Sequence, residues 1–300
     1  MLIVAVDIGG TFTDFLGYDT VSGKLLSSKA PTTPVGLEHG IHDCLKKAGV
    51  SVKAIGAFVH GSTIAINTVL ERKGARTALI VTKGTRDVYK IGRGNRPDAY
   101  DIWFTRPEPL VPRHLTFEVE ERLLATGEVH TRLNTAQAEI IARQVAATGA
   151  EAVAVCFLHS WNNPIHEQEM ARLLNSKMYR SISHEILREY GEYERISTTV
   201  LNSYIGPKVS AYLEALERML HEQGFAGRLT IMAGPRDSCA IRQTRIDVAD
   251  FSARRRKESD GLGRRVSEDR AILRLAHDYP HNRLARAGSF RYIADNLLKV

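Results

Sequence analysis

Near the start of this 300-residue chain, Val4-Ala5-Val6-Asp7-Ile8-Gly9-Gly10-Thr11-Phe12-Thr13-Asp14 brings together the residue types that phosphate chemistry needs. Two glycines let the backbone turn with no side chain above it, so that N–H groups can converge on an anion. Thr11 and Thr13 add hydroxyls, and the carboxylates of Asp7 and Asp14 flank the turn. The apolar run at 2–6 is short and β-branched, which predicts a buried strand with Asp7 at its end. Residues 12–19 read as a second strand. The glycines therefore do not open a helix, which excludes a Rossmann turn, and the spacing is not G-x-x-x-x-G-K-[ST] either. A phosphate-binding β-hairpin remains, with a plain tight Gly-Gly hairpin as its alternative.

Other stretches place polar groups where strands end. His60-Gly61-Ser62-Thr63 lies between a predicted strand and a helix, where Gly61, Ser62 and Thr63 are candidate anion contacts and the helix dipole favours negative charge. The bland reading is an N-cap by Ser62 or Thr63. Lys83-Gly84-Thr85-Arg86-Asp87 has the same placement and the same alternative. Gly92-Arg93-Gly94-Asn95-Arg96-Pro97-Asp98 is a basic, glycine-rich loop whose Arg93, Asn95 and Arg96 are candidate substrate contacts, or else a solvated connection. No G-x-S-x-G elbow occurs, and His166-Glu167-Gln168-Glu169-Met170 lacks the second His of a zinc protease motif. His159 and His166 have no metal-ligand spacing and read as surface or core polar groups. Glu192, Glu194 and Arg195 read as an ion pair along one helix.

The elements that must position these residues form an α/β pattern. Three strands (2–7, 12–19, 24–30) make an antiparallel meander. Helix 34–50, strand 54–60, a helix to about 73 and strand 76–82 follow. Residues 92–113 are a long Pro- and Gly-rich excursion, and strands return over 115–129. Then come helix 135–147, strand 152–158, helix 164–175, strand 182–187, helices 193–203 and 207–223, and a strand from 228. A meander followed by alternating helices and strands is the order of a ribonuclease-H-like lobe. A soft boundary lies near 180–190.

Hydrophobic residues are 43% and charged residues 25%, the balance of a globular protein. No apolar run is long enough to span a membrane, and no basic n-region precedes an h-region, so neither a membrane nor a secretory signal is expected. Three separated cysteines, Cys44, Cys156 and Cys239, suit a reducing, cytoplasmic compartment better than a disulfide framework. The formal charge is +7, but residues 233–300 carry 15 Lys+Arg against 9 Asp+Glu, so the excess is a property of the tail. No aromatic or groove-reading motif accompanies it, and a nucleic-acid partner finds no support.

Taken together, VAVDIGGTFTD (4–14), the stretch from His60 to Asp101, AVCFLHSWNNPIHEQ (154–168) and SHEILREYGEYERISTTVLNSYIGP (183–207) resemble the N-terminal part of the hydantoinase/oxoprolinase family. That family includes N-methylhydantoinase A subunits, ATP-dependent 5-oxoprolinases and acetone or acetophenone carboxylase subunits. The resemblance covers about 1–232. It implies a sugar-kinase/actin-like fold, ATP and Mg²⁺ as cofactors, a hydantoin- or 5-oxoproline-type cyclic amide as substrate and a hydantoinase B-like partner subunit. It divides the chain into an N-terminal domain at 1–185, the start of a second domain at 186–232 and a divergent tail at 233–300. Asp7, Gly9, Gly10, Thr11, Thr13 and Asp14 then form the first phosphate-binding loop, with Asp7 as the Mg²⁺-side carboxylate and Asp14 as a base or second metal contact.

The implied chemistry is physically coherent. A lactam or imide carbonyl is poorly electrophilic because nitrogen donates into it. Phosphorylating its oxygen makes a leaving group and an imidate-like carbon that water can attack, and such a site mainly positions and neutralises charge. In the carboxylase branch a carbon nucleophile or a bicarbonate-derived species reacts instead. After Ile231-Met232 the chain departs from the family: no Gln-Ser-Asn-Gly-Gly-type stretch and no second D-x-G-G loop follow. The expectation is half a nucleotide cleft, with a non-catalytic folded lobe as the rival reading. The last 68 residues hold 13 Arg and 2 Lys, whereas 1–232 hold 16 and 10, a shift expected of a changed reading frame or a foreign terminus.

Overall fold

The computed structural model describes residues 1–33, 36–93, 100–234 and 237–240, those from 232 onward by backbone alone. Its elements are β1 (Leu2–Ile8), β2 (Phe12–Asp19), β3 (Leu25–Pro31), α1 (Glu38–Lys47), β4 (Ile55–Ser62), α2 (Ile64–Leu70), β5 (Thr77–Thr82) and α3 (Val88–Ile91). After them come β6 (Thr116–Val119), β7 (Arg122–Leu123), β8 (Val129–Thr131), α4 (Thr135–Ala147), β9 (Ala152–Cys156) and α5 (Ile165–Leu173). The described chain closes with β10 (Tyr179–Ile182), α6 (Ser183–Ile186), α7 (Glu192–Glu222), β11 (Arg228–Gly234) and β12 (Asp237–Ala240). They form two compact units, one of residues 1–67 with 209–240, the other of residues 68–208.

The first unit is built on a six-stranded sheet in the order β12-β11-β4-β1-β2-β3. β1, β2 and β3 form the antiparallel meander expected from the sequence, β4 lies parallel to β1, and β11 parallel to β4. Alternation decides which face is dry: Val4, Val6 and Ile8 of β1, Phe15 of β2 and Phe58 of β4 point to one side. Ile41, Cys44 and Leu45 of α1 and Tyr212, Leu213, Leu216 and Leu220 of α7 join them in one core. The odd positions of β1 therefore carry Asp7 to the opposite face.

The second unit has a four-stranded parallel sheet, β10-β9-β5-β6. β5 and β9 are buried along their whole length, as unbroken apolar strands must be when both faces are covered. Ala78, Ile80, Val153 and Val155 share a core with Ile141 and Val145 of α4 and Met170 of α5. Leu79, Val81, Ala154 and Cys156 share another with Ile196 and Val200 of α7. Thus β5, β6, β9 and β10 build a sheet of their own, β7 and β8 pair as a small separate ribbon, and among the described strands after β4 only β11 and β12 return to the meander's sheet.

Two expected elements differ. Residues 182–187 are not a strand: β10 ends at Ile182 and a turn of helix follows, because Ser183 and His184 are drawn onto the buried carboxylate of Glu167. The two helices expected around Pro207 are one, α7, with Pro207 inside it. A mid-helix proline costs roughly 3 kcal/mol. Burial on both sides of it, by Val200 and Ile205 before and Leu213 and Leu216 after, outweighs that loss.

Candidate phosphate-binding turn

The Gly9–Thr11 turn joins two strands in full register, Ile8 opposite Thr13 and Asp7 opposite Asp14. The register extends across the sheet. Lys29 of β3 lies opposite Asp14, and Gly61 of β4 opposite Asp7, so Lys29, Asp14, Asp7 and Gly61 form one row on one face. Lys29 Nζ is 3.0 Å from Asp14 Oδ1 and 4.6 Å from the centre of the Phe12 ring. Asp7 and Asp14 are each 7% exposed. Two like charges facing each other across antiparallel strands repel, and the ammonium of Lys29 offsets that. Gly61 leaves room beside Asp7, since a Cβ there would come 3.1 Å from Asp7 Oδ1.

The carbonyls of Ile8, Gly9, Thr11 and Phe12 are held. Ile8 O accepts from the N–H and the hydroxyl of Thr63, both at 3.3 Å. Gly9 O accepts from the Thr32 hydroxyl at 2.9 Å, Thr11 O from Thr32 N–H at 2.9 Å, and Phe12 O from Gly9 N–H at 3.0 Å. The N–H groups of Gly10 and Thr11 donate to no group among the described residues. Both residues are exposed. The outcome is two neighbouring donors open at the end of β1, with the carboxylate of Asp7 one strand position away.

Of the remaining expected residues, Thr13 is fully buried and its hydroxyl lies 3.3 Å from that of Thr32. Ser62 Oγ accepts from Ile64 N–H at 3.2 Å, and Asn67 Nδ2 donates to Thr63 Oγ1 at 3.1 Å, so both β4-end hydroxyls shape the start of α2. Arg93 belongs to the second unit and pairs with Glu194 at 2.6 Å. Asn95 and Arg96 lie outside the described residues, as does the whole of 241–300.

A metal at this turn would find two carboxylates, Asp7 and Asp14. No group of three or more His, Cys, Asp or Glu among the described residues is arranged to hold an ion. Mg²⁺ keeps several waters and takes one or two carboxylates together with phosphate oxygens, a donor set that Asp7 and Asp14 could supply.

The hydantoinase/oxoprolinase N-terminal region, as a family, matches residues 3–178. The chain belongs to that family. It is 40% identical over 235 residues to an uncharacterized protein of Methanocaldococcus jannaschii, a match covering 76% of this chain and 35% of that one. It is 31% identical over 234 residues to the caprolactamase subunit alpha of Pseudomonas jessenii, covering 74% and 34%. Among solved structures, nucleotide-free acetone carboxylase superposes with a TM-score of 0.72 at 26% identity, over 82% of this chain and 38% of that one. The ATP-dependent caprolactamase gives a TM-score of 0.68 at 27% identity. The chain thus spans about a third of the length of these relatives.

Sequence reasoning missed a buried polar cluster at the carboxyl ends of the second unit's strands. Glu167 of α5, with no exposure, accepts from Phe157 N–H at 2.9 Å, Ser160 Oγ at 2.7 Å, Ser183 Oγ at 2.6 Å and His184 N–H at 3.0 Å. Its Oε2 also lies 2.7 Å from His184 Nδ1. Arg195 donates to Phe157 O at 3.1 Å and to the hydroxyls of Ser160 and Ser183, and lies 3.5 Å from Glu167. It is therefore no surface partner of Glu192 or Glu194, and the ion-pair reading of that helix is corrected. Burial works to raise the Glu167 pKa, but His184, Arg195, Ser183 and the Phe157 amide together hold it below the usual value. Beside it, Glu121 meets His166 at 2.7 Å and accepts from Thr82, and burial raises its pKa. His166 is thus a core polar group. All these groups are closed to solvent, so the cluster ties α5, α6 and α7 to the sheet and is no substrate site. The separation of its members in sequence left no local signal.

Proposed function

We propose that this chain carries a phosphate-binding side of the ATP site of a hydantoinase/oxoprolinase-family enzyme, within a sugar-kinase/actin-like lobe. The observation that carries the reading is the pair of open N–H groups at Gly10 and Thr11 beside Asp7, with the carbonyls of Ile8 and Gly9 tied back. The six-stranded sheet supports the lobe: an antiparallel meander extended by parallel strands is what a ribonuclease-H-like fold requires. In this reading Gly9, Gly10 and Thr11 face the phosphates, and Asp7 meets Mg²⁺ directly or through water. Asp14, balanced by Lys29, is the second carboxylate.

The reaction we propose is transfer of a phosphoryl group from ATP to the carbonyl oxygen of a cyclic amide of hydantoin or 5-oxoproline type. ADP leaves, water adds to the activated carbon, and phosphate departs as the ring opens. The likeness to acetone carboxylase supports a second branch in which a carbon nucleophile or a bicarbonate-derived species meets the activated compound. A hydantoinase B-like partner subunit is part of the proposal, because the relatives carry subunit names. Cys44 and Cys156 are free and buried, which accords with a reducing cytoplasm.

Equilibrium binding of ATP–Mg²⁺ to the full chain by calorimetry, with wild type and Asp7→Asn, tests the reading. Asp7→Asn should weaken ATP–Mg²⁺ about tenfold while leaving metal-free phosphate unaffected or slightly tighter. Equal affinity of the two proteins for ATP–Mg²⁺ would remove Asp7 from the metal's side.

A further inference from the structure

The phosphate reading leaves open what aims the donors, and here the geometry points to Thr32 as a positioning residue, backed by Thr13. A peptide unit is planar and trans, so the C=O of one residue and the N–H of the next point in opposite directions. Gly9 O and Gly10 N–H belong to one such plane. The Thr32 hydroxyl holds Gly9 O at 2.9 Å, and that contact turns the Gly10 N–H away from the sheet's edge into the open mouth of the turn. Thr32 N–H holds Thr11 O at 2.9 Å, so one residue fixes the turn on both sides of Gly10. Glycine has the widest backbone freedom of any residue, and a Gly-Gly turn without such ties samples many N–H directions.

Thr13 acts one step further back. Its hydroxyl lies 3.3 Å from that of Thr32, whose only proton is committed to Gly9 O, so Thr13 must be the donor. The chain Thr13 to Thr32 to Gly9 polarises each bond in turn. α1 keeps this relay in place: Gly40 leaves space for Thr13, where a Cβ would fall 2.7 Å from Oγ1, and Cys44 Sγ donates to Thr13 O at 3.3 Å. Thr13, selected from the sequence as a direct ligand, thereby serves the anion through Thr32 and not by contact. The inference rests on the reading of the turn as a phosphate site.

The test is an amide titration of the full ¹⁵N-labelled chain with inorganic phosphate, in wild type, Thr32→Val, Thr32→Ser and Thr13→Val. Thr32→Val keeps the shape and the N–H of residue 32 but loses the hydroxyl. It should weaken phosphate about tenfold, with the Gly10 amide losing its response more than the Thr11 amide. Thr32→Ser restores the hydroxyl and should stay within about twofold of wild type. Thr13→Val should weaken binding about threefold. Thermal midpoints of the responding variants should lie close together, since a purely structural role would move stability and not the Gly10 response. A Thr32→Val protein that binds like wild type, or a Thr32→Ser protein as weak as Thr32→Val, overturns the inference alone. Silence of the wild-type Gly10 and Thr11 amides overturns the phosphate reading and this inference with it.

Discussion

Removing the Arg195 guanidinium is the most demanding perturbation of the second unit. Arg195 is 1% exposed and Glu167 is fully buried, so Arg195→Met leaves a carboxylate in the interior without the guanidinium that lies 3.5 Å from it. The hydroxyls of Ser160 and Ser183 and the carbonyl of Phe157 lose a donor as well. Breaking a buried pair from one side costs about 3–5 kcal/mol. For a unit of this size each kcal/mol moves the midpoint by about 2–4 °C, so the variant should melt roughly 6–20 °C lower. The sign with pH follows from Glu167, whose folded pKa is lowered. Its contribution is present above the unfolded value of 4.5 and is lost as pH falls through the folded one. The deficit of Arg195→Met should therefore be largest near neutral pH and shrink toward pH 4, where Glu167 takes up a proton instead. Glu167→Gln in the Arg195→Met background should recover part of the loss. Calorimetric melts of the three proteins across pH 4–8 measure all of this. A deficit below about 1 kcal/mol, or a double variant no better than Arg195→Met, would refute the reasoning.

Three further outcomes are expected. Burial holds His60 neutral by lowering its pKa from 6.5 to about 4, with Tyr212 Oη 2.6 Å from its Nε2. Its contribution is complete above pH 6.5 and falls away on acidification toward pH 4 by about 3 kcal/mol, an effect that His60→Leu combined with Tyr212→Phe should abolish in chemical-denaturation curves. Gly61→Ala pushes a methyl toward Asp7 and should reduce ATP–Mg²⁺ affinity severalfold at nearly unchanged stability, read by calorimetry against melting temperature. Gly206→Ala places a Cβ against the Tyr179 ring on α7, and about 1–3 kcal/mol of destabilisation should appear in urea unfolding.

What the sequence could and could not reveal follows from how far apart the interacting residues stand. The Gly9–Thr11 turn was legible because a strand, two glycines and a second strand are adjacent, and the hairpin alone fixes Asp7 opposite Asp14. The meander's first strand followed from a short, β-branched apolar run closed by turn residues. Thr32 was invisible as a partner of Gly9, because the two stand 23 positions apart with the whole of β2 and β3 between them. Glu167, Ser183 and Arg195 are likewise joined by packing and not by any periodic pattern. Residues 182–187 read as a strand, yet hydrogen bonds from Ser183 and His184 to Glu167 bend the chain after Ile182. Pro207 signalled a break that tertiary burial overrode. Which strands share a sheet was also not encoded locally, since β5 and β4 carry similar apolar patterns but belong to different units.

The central claim is that the open donors of the first turn bind phosphate. Its most direct test is the response of the wild-type amides at residues 7–14 to millimolar ATP–Mg²⁺, followed by heteronuclear NMR on the full chain. The account predicts that Gly10 and Thr11 shift most, saturably, and that AMP, which lacks the β- and γ-phosphates, moves them far less. Equal shifts with AMP, or no shift at Gly10 and Thr11, would contradict it and leave the turn a plain hairpin.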